Sequence, residues 1–191
     1  MTVKEFLDYL SQELNRSPRT VISYAEDLYA FEAYFLDKDE GLTWETIDTD
    51  IIRDWMESMV DKGNSPSSVA RRLSAVKGFF KFALAREFIS SDPAHAIRSP
   101  KRSRPLPQFL KENEINDLLD KQAWGDDFKG LRDRLIIMML YETGVRLAEL
   151  VGMDDKAVNL TGQFIKVTGK GDKQRVIPFG NELKSMIENY V

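Results

Sequence analysis

The chain has 191 residues and a mass of 22.0 kDa, with 42% hydrophobic and 30% charged residues, enough for one ordinary domain or two small ones. It has no cysteine and one histidine, His95, which excludes disulfides, thiolate metal sites and a cysteine nucleophile and fits a reducing compartment. The net charge of −4 averages over two unlike regions: residues 26–61 hold twelve carboxylates against Lys38 and Arg53, a balance of −10, and residues 62–104 hold ten bases against Glu87 and Asp92, a balance of +8.

Exposed charges are screened beyond about 8–10 Å, so a basic surface acts locally whatever the total charge. The clustering has two readings: a nucleic-acid footprint, or a solvated helix face followed by a charged linker. The longest apolar run, residues 135–141, is far short of the roughly 20 residues of a membrane span. The first residues lack the basic start and apolar stretch of a signal peptide. A cytoplasmic protein without membrane association is expected.

Apolar periodicity predicts four helices before residue 90. The first, over 3–14, places Val3, Phe6, Leu7, Leu10 and Leu14 on one stripe. The second opens with Ser17 as N-cap and Pro18 at the first helical position, then carries Val21, Tyr24, Ala25, Leu28, Phe31 and Phe35. The third, from about Asp50 to Asp61, buries Ile51, Ile52, Trp55, Met56 and Met59, with Gly63 placed to end it. The fourth repeats the opening device with Ser65-Pro66 and carries Val69, Leu73, Val76, Phe80, Ala83 and Leu84. Four amphipathic helices with short connections predict a bundle. Opposite the fourth helix's apolar stripe lie Ser67, Arg71, Ser74, Gly78 and Lys81. Small residues and bases let a helix lie close to a DNA groove, although a plain exposed face or a small-residue helix contact has the same pattern. The first turns after Ser17 and Ser65 offer amides to a phosphate, or simply complete their caps.

Residues 99–107, Ser-Pro-Lys-Arg-Ser-Arg-Pro-Leu-Pro, hold three of the seven prolines and no apolar periodicity. They read as a stiff, solvated linker between a helical unit over 1–98 and a second unit over 108–191. In the second unit, residues 112–119 and 131–141 read as helices, the latter buried on most sides. Thr143-Gly144 breaks that helix and residues 146–151 restart a short one. Gln163 to Val167 and Arg175 to Phe179 are two β-rich runs about Gly169-Lys170-Gly171-Asp172-Lys173-Gln174, a hairpin with a glycine-rich tip. A last helix from Asn181 is expected to be cut off at Val191, leaving this α+β unit incomplete.

Arg146 stands just past the glycine break, where a rigid guanidinium can grip a phosphate with two parallel hydrogen bonds. Glu149, one turn on, can orient it; a plain surface Arg–Glu pair, worth under about 1 kcal/mol, fits the same spacing. Lys170 at the hairpin tip can reach into a groove and donate a proton to a leaving oxygen, or serve only as a soluble turn residue. The tip is not a P-loop, because the Gly-Lys-Ser/Thr ending is absent.

The stretch Thr143 to Leu150 and the run from Val167 through Gly169-Lys170-Gly171 to Pro178 resemble the tyrosine recombinases, specifically the Xer type. Arg19-Thr20 through Tyr24, Asp27-Leu28 and Phe31, then Ser65 to Phe82, resemble that family's core-binding domain. Leu106-Pro107 with Glu114 and Leu118-Leu119 resembles its entry into the catalytic domain. The similarity covers essentially the whole chain. It implies a mainly α fold: a four-helix, SAM-like core-binding bundle, then the start of an α+β catalytic domain. It also implies a DNA clamp that cuts and rejoins strands through a 3′-phosphotyrosyl bond without metal, nucleotide or other cofactor, on double-stranded DNA and beside further recombinase protomers as a tetramer. By motif, Arg146 is the phosphate-gripping arginine, Glu149 its supporting acid and Lys170 the general acid. The DNA-facing set expected is Arg19, Thr20, Tyr24, Ser67, Arg71, Arg72, Ser74, Lys77, Lys81, Lys101, Arg102, Arg104, Lys173 and Arg175.

The family continues into a His-x-x-Arg box, a further His or Trp and a nucleophilic tyrosine, none of which this sequence contains. His95 follows Asp92-Pro93-Ala94, and Tyr190 lies too close to Lys170 to be the nucleophile. The expectation is the N-terminal portion of a longer recombinase, or a natural truncation, binding DNA without cutting it and lacking the contacts that link protomers near the C-terminus. The compact layout favours chromosome-dimer resolution; the alternatives are a phage or transposon integrase and a non-catalytic DNA-binding module.

Overall fold

Serine–proline pairs launch the two long helices of the N-terminal half. Ser17 Oγ accepts the Thr20 N–H at 3.3 Å and Ser65 Oγ the Ser68 N–H at 3.2 Å. In each case the following proline lacks only an N–H that a helix start leaves unbonded anyway. These caps open α2 (Pro18–Lys38) and α4 (Pro66–Ala85) in the computed structural model, which describes residues 1–101, 106–121, 124–125, 127–169 and 171–191. Between them α3 (Thr49–Asp61) is capped by Asp48, and the chain turns away through Gly63 at φ +78°.

The first helix departs from expectation. After the Thr2–Glu5 capping box, α1 (Val3–Asp8) widens into a π turn over Tyr9–Glu13. Val3, Phe6 and Leu10 stay buried, but the wider turn carries Leu14 off the stripe into solvent. Leu84, expected on the buried face of α4, is also exposed, although Phe82 and Ala83 of the same turn are buried.

The chain divides into two compact units, Met1–Leu106 and Pro107–Val191, each with its own apolar core. In the first, α4 is the central helix: Val69, Leu73, Val76 and Phe80 are fully buried, and so are Ala70, Ala75 and Phe79 on its flanks. Aromatic rings fill the space between helices, with Trp44 4.3 Å from Phe79 and Phe31 4.7 Å from Trp55 between centroids. Trp44 satisfies its indole N–H by donating to Glu32 at 2.7 Å, so a polar edge does not disturb the core.

In the second unit α5 (Glu112–Lys121) buries Ile115 and Leu119. Asp127 caps α6 (Phe128–Thr143), which ends on Gly144 at φ +61°, the left-handed stop that glycine adopts without strain. Next come α7 (Leu147–Val151) and a 3₁₀ turn at Asp155–Ala157. The strands β1 (Val158–Asn159), β2 (Phe164–Thr168) and β3 (Gln174–Pro178) form one antiparallel sheet in that order, and α8 (Asn181–Tyr190) follows. The β2–β3 hairpin matches the sequence reading; β1, only two residues long, carries no periodicity to betray it. The expectation that α6 is buried on most sides is corrected. Leu131 and Tyr141 are exposed, and a cavity of about 560 Å³ lined by Leu135, Ile136 and Met139 of α6, Leu150 of α7 and Ile187 of α8 leaves that flank open. Among the described residues no helix is long and apolar enough to cross a membrane.

Candidate nucleic-acid interface

The left-handed stop at Gly144 turns the chain so that Arg146 becomes the N-cap of α7. Glu149, three residues on, accepts the Arg146 backbone N–H at 2.9 Å and the Arg146 Nη1 at 2.8 Å. Strand β3 then brings in a second guanidinium. Arg175 donates Nη1 to Glu149 Oε1 and Nη2 to Oε2, both at 2.8 Å. The carboxylate is 5% exposed, whereas the Arg146 side chain is 70% exposed and its Nε and Nη2 take no partner among the described residues. The hydrogen bonds from Arg175, then the Arg146 amide, lower the Glu149 carboxyl to about 2, and the same pairing raises Arg175.

The hairpin tip sits against this pair. A Cβ on Gly169 would lie 3.1 Å from Glu149 Oε1 and 3.3 Å from Arg175 Nη1, closer than all but the tightest side-chain contacts. The backbone one residue before Lys170 is thereby brought to the acceptor that holds Arg146. Lys170 lies outside the described residues, as do Arg102 and Arg104. Arg175, read from the sequence as a DNA-facing base, is instead committed to Glu149, because alternation along β3 turns it inward with Ile177 while Val176 faces solvent. Lys173 on the hairpin and Lys101 are exposed.

In the first unit α2 and α4 present one face. Arg19, Ser67, Ser74 and Lys81 are exposed along it, and Thr20 and Tyr24 are half-buried. Thr20, Tyr24, Gly78 and Lys81 line a groove of about 300 Å³ with Arg16 and Arg86 at its rim. Several bases expected to face a groove are tied to protein groups. Arg71 donates through Nη1 and Nη2 to Asp27 and through Nη1 to Ser23 at 2.9 Å. Arg72 lies 3.8 Å from the same carboxylate, and Lys77 donates to the Ile97 carbonyl. For the two arginines the cause is the near-complete burial of Asp27, which demands a counter-charge. Gly78 lines that groove beside Phe6 and Tyr24, where a Cβ would meet their rings at 3.4–3.5 Å, ordinary van der Waals contact. Asp27 and Gly169 were not singled out by sequence reasoning for these contacts. An acid on the apolar face of α2 beside Leu28 was the available signal for the first.

Residues 3–87 match the model of the phage integrase N-terminal SAM-like domain, and residues 108–191 match that of the phage integrase family. The chain is 37% identical to a tyrosine recombinase XerC of Natranaerobius thermophilus over 187 residues, covering 98% of this chain and 62% of that protein. It is 30% identical to a tyrosine recombinase XerD of Oceanobacillus iheyensis over 189 residues, covering 99% and 63%. It thus spans less than two thirds of the length of these relatives. Among solved structures it is similar to the Tn1549 transposon integrase in complex with transposon right end DNA, with TM-score 0.74, 18% identity and coverage of 98% of this chain and 64% of that one. It is also similar to a lambda integrase dimer bound to a COC′ core site, with TM-score 0.69, 22% identity and coverage of 99% and 65%. At such identities the likeness establishes the shared fold. With a family model matched in each unit and XerC and XerD relatives aligned along nearly all of its length, the chain belongs to the phage integrase family, the tyrosine recombinases.

Proposed function

We propose that this chain supplies the DNA-binding unit and part of the phosphate-activating site of an Xer-type site-specific recombinase acting in chromosome-dimer resolution. The observation that carries the reading is the convergence of α7 and the β2–β3 hairpin on Glu149, with the Arg146 guanidinium left 70% exposed beside it. In the reaction a tyrosine hydroxyl attacks a backbone phosphate, the 3′-phosphotyrosyl bond forms, and the 5′-oxygen leaves with a proton. Such a step needs positive charge on the non-bridging oxygens and an acid at the leaving oxygen. Arg146 is assigned the first task and Lys170 the second. Arg19, Thr20, Tyr24, Ser67, Ser74, Lys81, Lys101 and Lys173 are assigned to the duplex, with Arg102 and Arg104 of the linker. This reading places the chain on double-stranded DNA beside partner protomers, in the cytoplasm. The 191 residues alone are expected to bind duplex DNA without cutting it.

Duplex binding measured across a salt series tests the reading. Affinity should fall steeply with salt, and Arg146→Ala should reduce the slope of log affinity against log salt by about 0.9, the loss of one phosphate contact. Absence of binding at low salt, or an unchanged slope in Arg146→Ala, overturns it. In a chimera in which the remaining segment of the N. thermophilus XerC follows residue 191, a nicked duplex should trap a covalent adduct that Arg146→Ala abolishes.

A further inference from the structure

Glu149 has two oxygens and two arginines to satisfy, and they are shared unequally. Arg175 takes both oxygens in a fork, while the Arg146 side chain has a single bond to Oε1, the oxygen that Arg175 Nη1 also uses. A free carboxylate beside an arginine prefers the two-bond geometry, and Arg146 is close enough to adopt it through the same helix N-cap. We propose that Arg175 is a positioning residue that occupies Glu149 in this fork, and so prevents Glu149 from closing bidentately on Arg146 and withdrawing it from phosphate. The inference rests on the reading of Arg146 as the phosphate-gripping group, and it replaces a direct DNA role for Arg175.

Three further features agree. The side chain of Arg175 is itself only 39% exposed, which suits a buried partner better than a groove. Strand β3 holds its backbone in register through pairing of Arg175 with Val167 across the hairpin. Gly169 brings the hairpin backbone against the pair, close enough that a Cβ there would lie 3.1 Å from Glu149 Oε1 and 3.3 Å from Arg175 Nη1.

Lysine in place of Arg175 offers one point charge without the fork, so Arg175→Lys should behave partway between wild type and Arg175→Gln. In Arg175→Gln, the carboxylate is released to Arg146. The decisive variant pairs Arg175→Gln with Glu149→Gln: with no carboxylate to capture it, Arg146 is available again, an outcome that loss of a merely structural bridge does not produce.

The test has two arms on the 191-residue chain. Guanidinium ¹⁵N spectra report which arginine has hindered rotation of its terminal nitrogens. The slow signal should belong to Arg175 in wild type and move to Arg146 in Arg175→Gln; if Arg146 is unaffected there, the proposal is overturned whatever the DNA results. In the second arm, duplex affinity is measured across a salt series. Arg175→Gln should lower the slope by about 0.9, as Arg146→Ala does, and the double variant Arg175→Gln, Glu149→Gln should recover it. A double variant as flat as the single one overturns the proposal. An unchanged slope in Arg146→Ala itself instead removes the phosphate reading, and the spectra still decide the role of Arg175.

Discussion

Removing the Arg71 guanidinium while leaving the Asp27 carboxylate should destabilise the N-terminal unit far more than the reverse change. The carboxylate is 5% exposed and the guanidinium 51%. Burial pushes the Asp27 carboxyl up, and the hydrogen bonds from Arg71 pull it back only in part. In Arg71→Gln the buried charge keeps one cationic neighbour, Arg72 with its Nε 3.8 Å away. Stranding a buried charge costs about 3–5 kcal/mol, and with Arg72 still present we expect about 2–4 kcal/mol. In Asp27→Asn the guanidinium remains half in water and loses only strengthened hydrogen bonds, about 1 kcal/mol. Replacing both partners, Arg71→Met with Asp27→Leu, should be nearly neutral, because neither charge is left behind. Urea unfolding followed by tryptophan fluorescence reads this unit, since Trp44 and Trp55 lie in its core, and a Trp124→Phe background removes the remaining indole signal. Equal losses in the two single variants, or a larger loss in Asp27→Asn, would refute the reasoning. The same proteins ask whether Arg71 reaches DNA: Asp27→Asn frees the guanidinium, and stronger duplex binding with a steeper salt slope is the signature of a phosphate contact.

The two buried acids also predict opposite responses to acid. Glu149 titrates at about 2 in the fold rather than 4.5, so its contribution to stability is complete above pH 4.5 and is lost as pH falls toward 2; Glu149→Gln should flatten the fall of the C-terminal unit's urea midpoint over that window, and a slope as steep as wild type argues against the fork. Asp27 is raised above 3.8, so the folded unit takes up a proton where the unfolded chain does not; acidification through that range favours folding at this residue, and Asp27→Asn should remove the gain. Gly144→Ala puts a Cβ at φ +61° with nothing within 4 Å of it, so its cost of about 1–2 kcal/mol is backbone strain alone; thermal unfolding should show the loss in the C-terminal unit, and an unchanged melting temperature would sink the assignment of that stop.

The features visible in the sequence are those encoded within a few residues. Ser17-Pro18 and Ser65-Pro66 announce two helix starts, Gly144 announces a stop, and alternation around the glycine-rich tip announces a hairpin. The Arg146–Glu149 pair falls in the same class, being one helical turn long. What the sequence hides is set by partners far apart in the chain. Arg71 finds Asp27 44 residues away, and Arg175 finds Glu149 26 residues away; neither separation leaves a period to detect. Charge clustering then misleads in a definite way, because bases in the +8 segment are counted as free when a buried acid of the −10 segment has already claimed Arg71. Two local hints were available. Asp27 interrupts the apolar face formed by Tyr24, Leu28 and Phe31, and Arg175 shares the inward side of its strand with Ile177. A charge at an apolar position signals a partner even when the partner is out of sight.

The charge count at the α7–hairpin junction shows why two arginines serve better than one. A lone Arg146–Glu149 pair is locally neutral, and a neutral fork offers a phosphate no net attraction until it has been broken. Adding Arg175 leaves two positive charges against one negative, so the junction keeps a unit of positive charge while every carboxylate oxygen is satisfied. That surplus resides on the more exposed guanidinium, 70% against 39%. Arg175 holds both oxygens of the carboxylate, and Arg146 donates its own backbone N–H to one of them and a single side-chain N–H to the other. In a chain with an overall charge of −4, screening confines such a contest to groups within about 8–10 Å, and the three side chains that meet at this junction sum to +1.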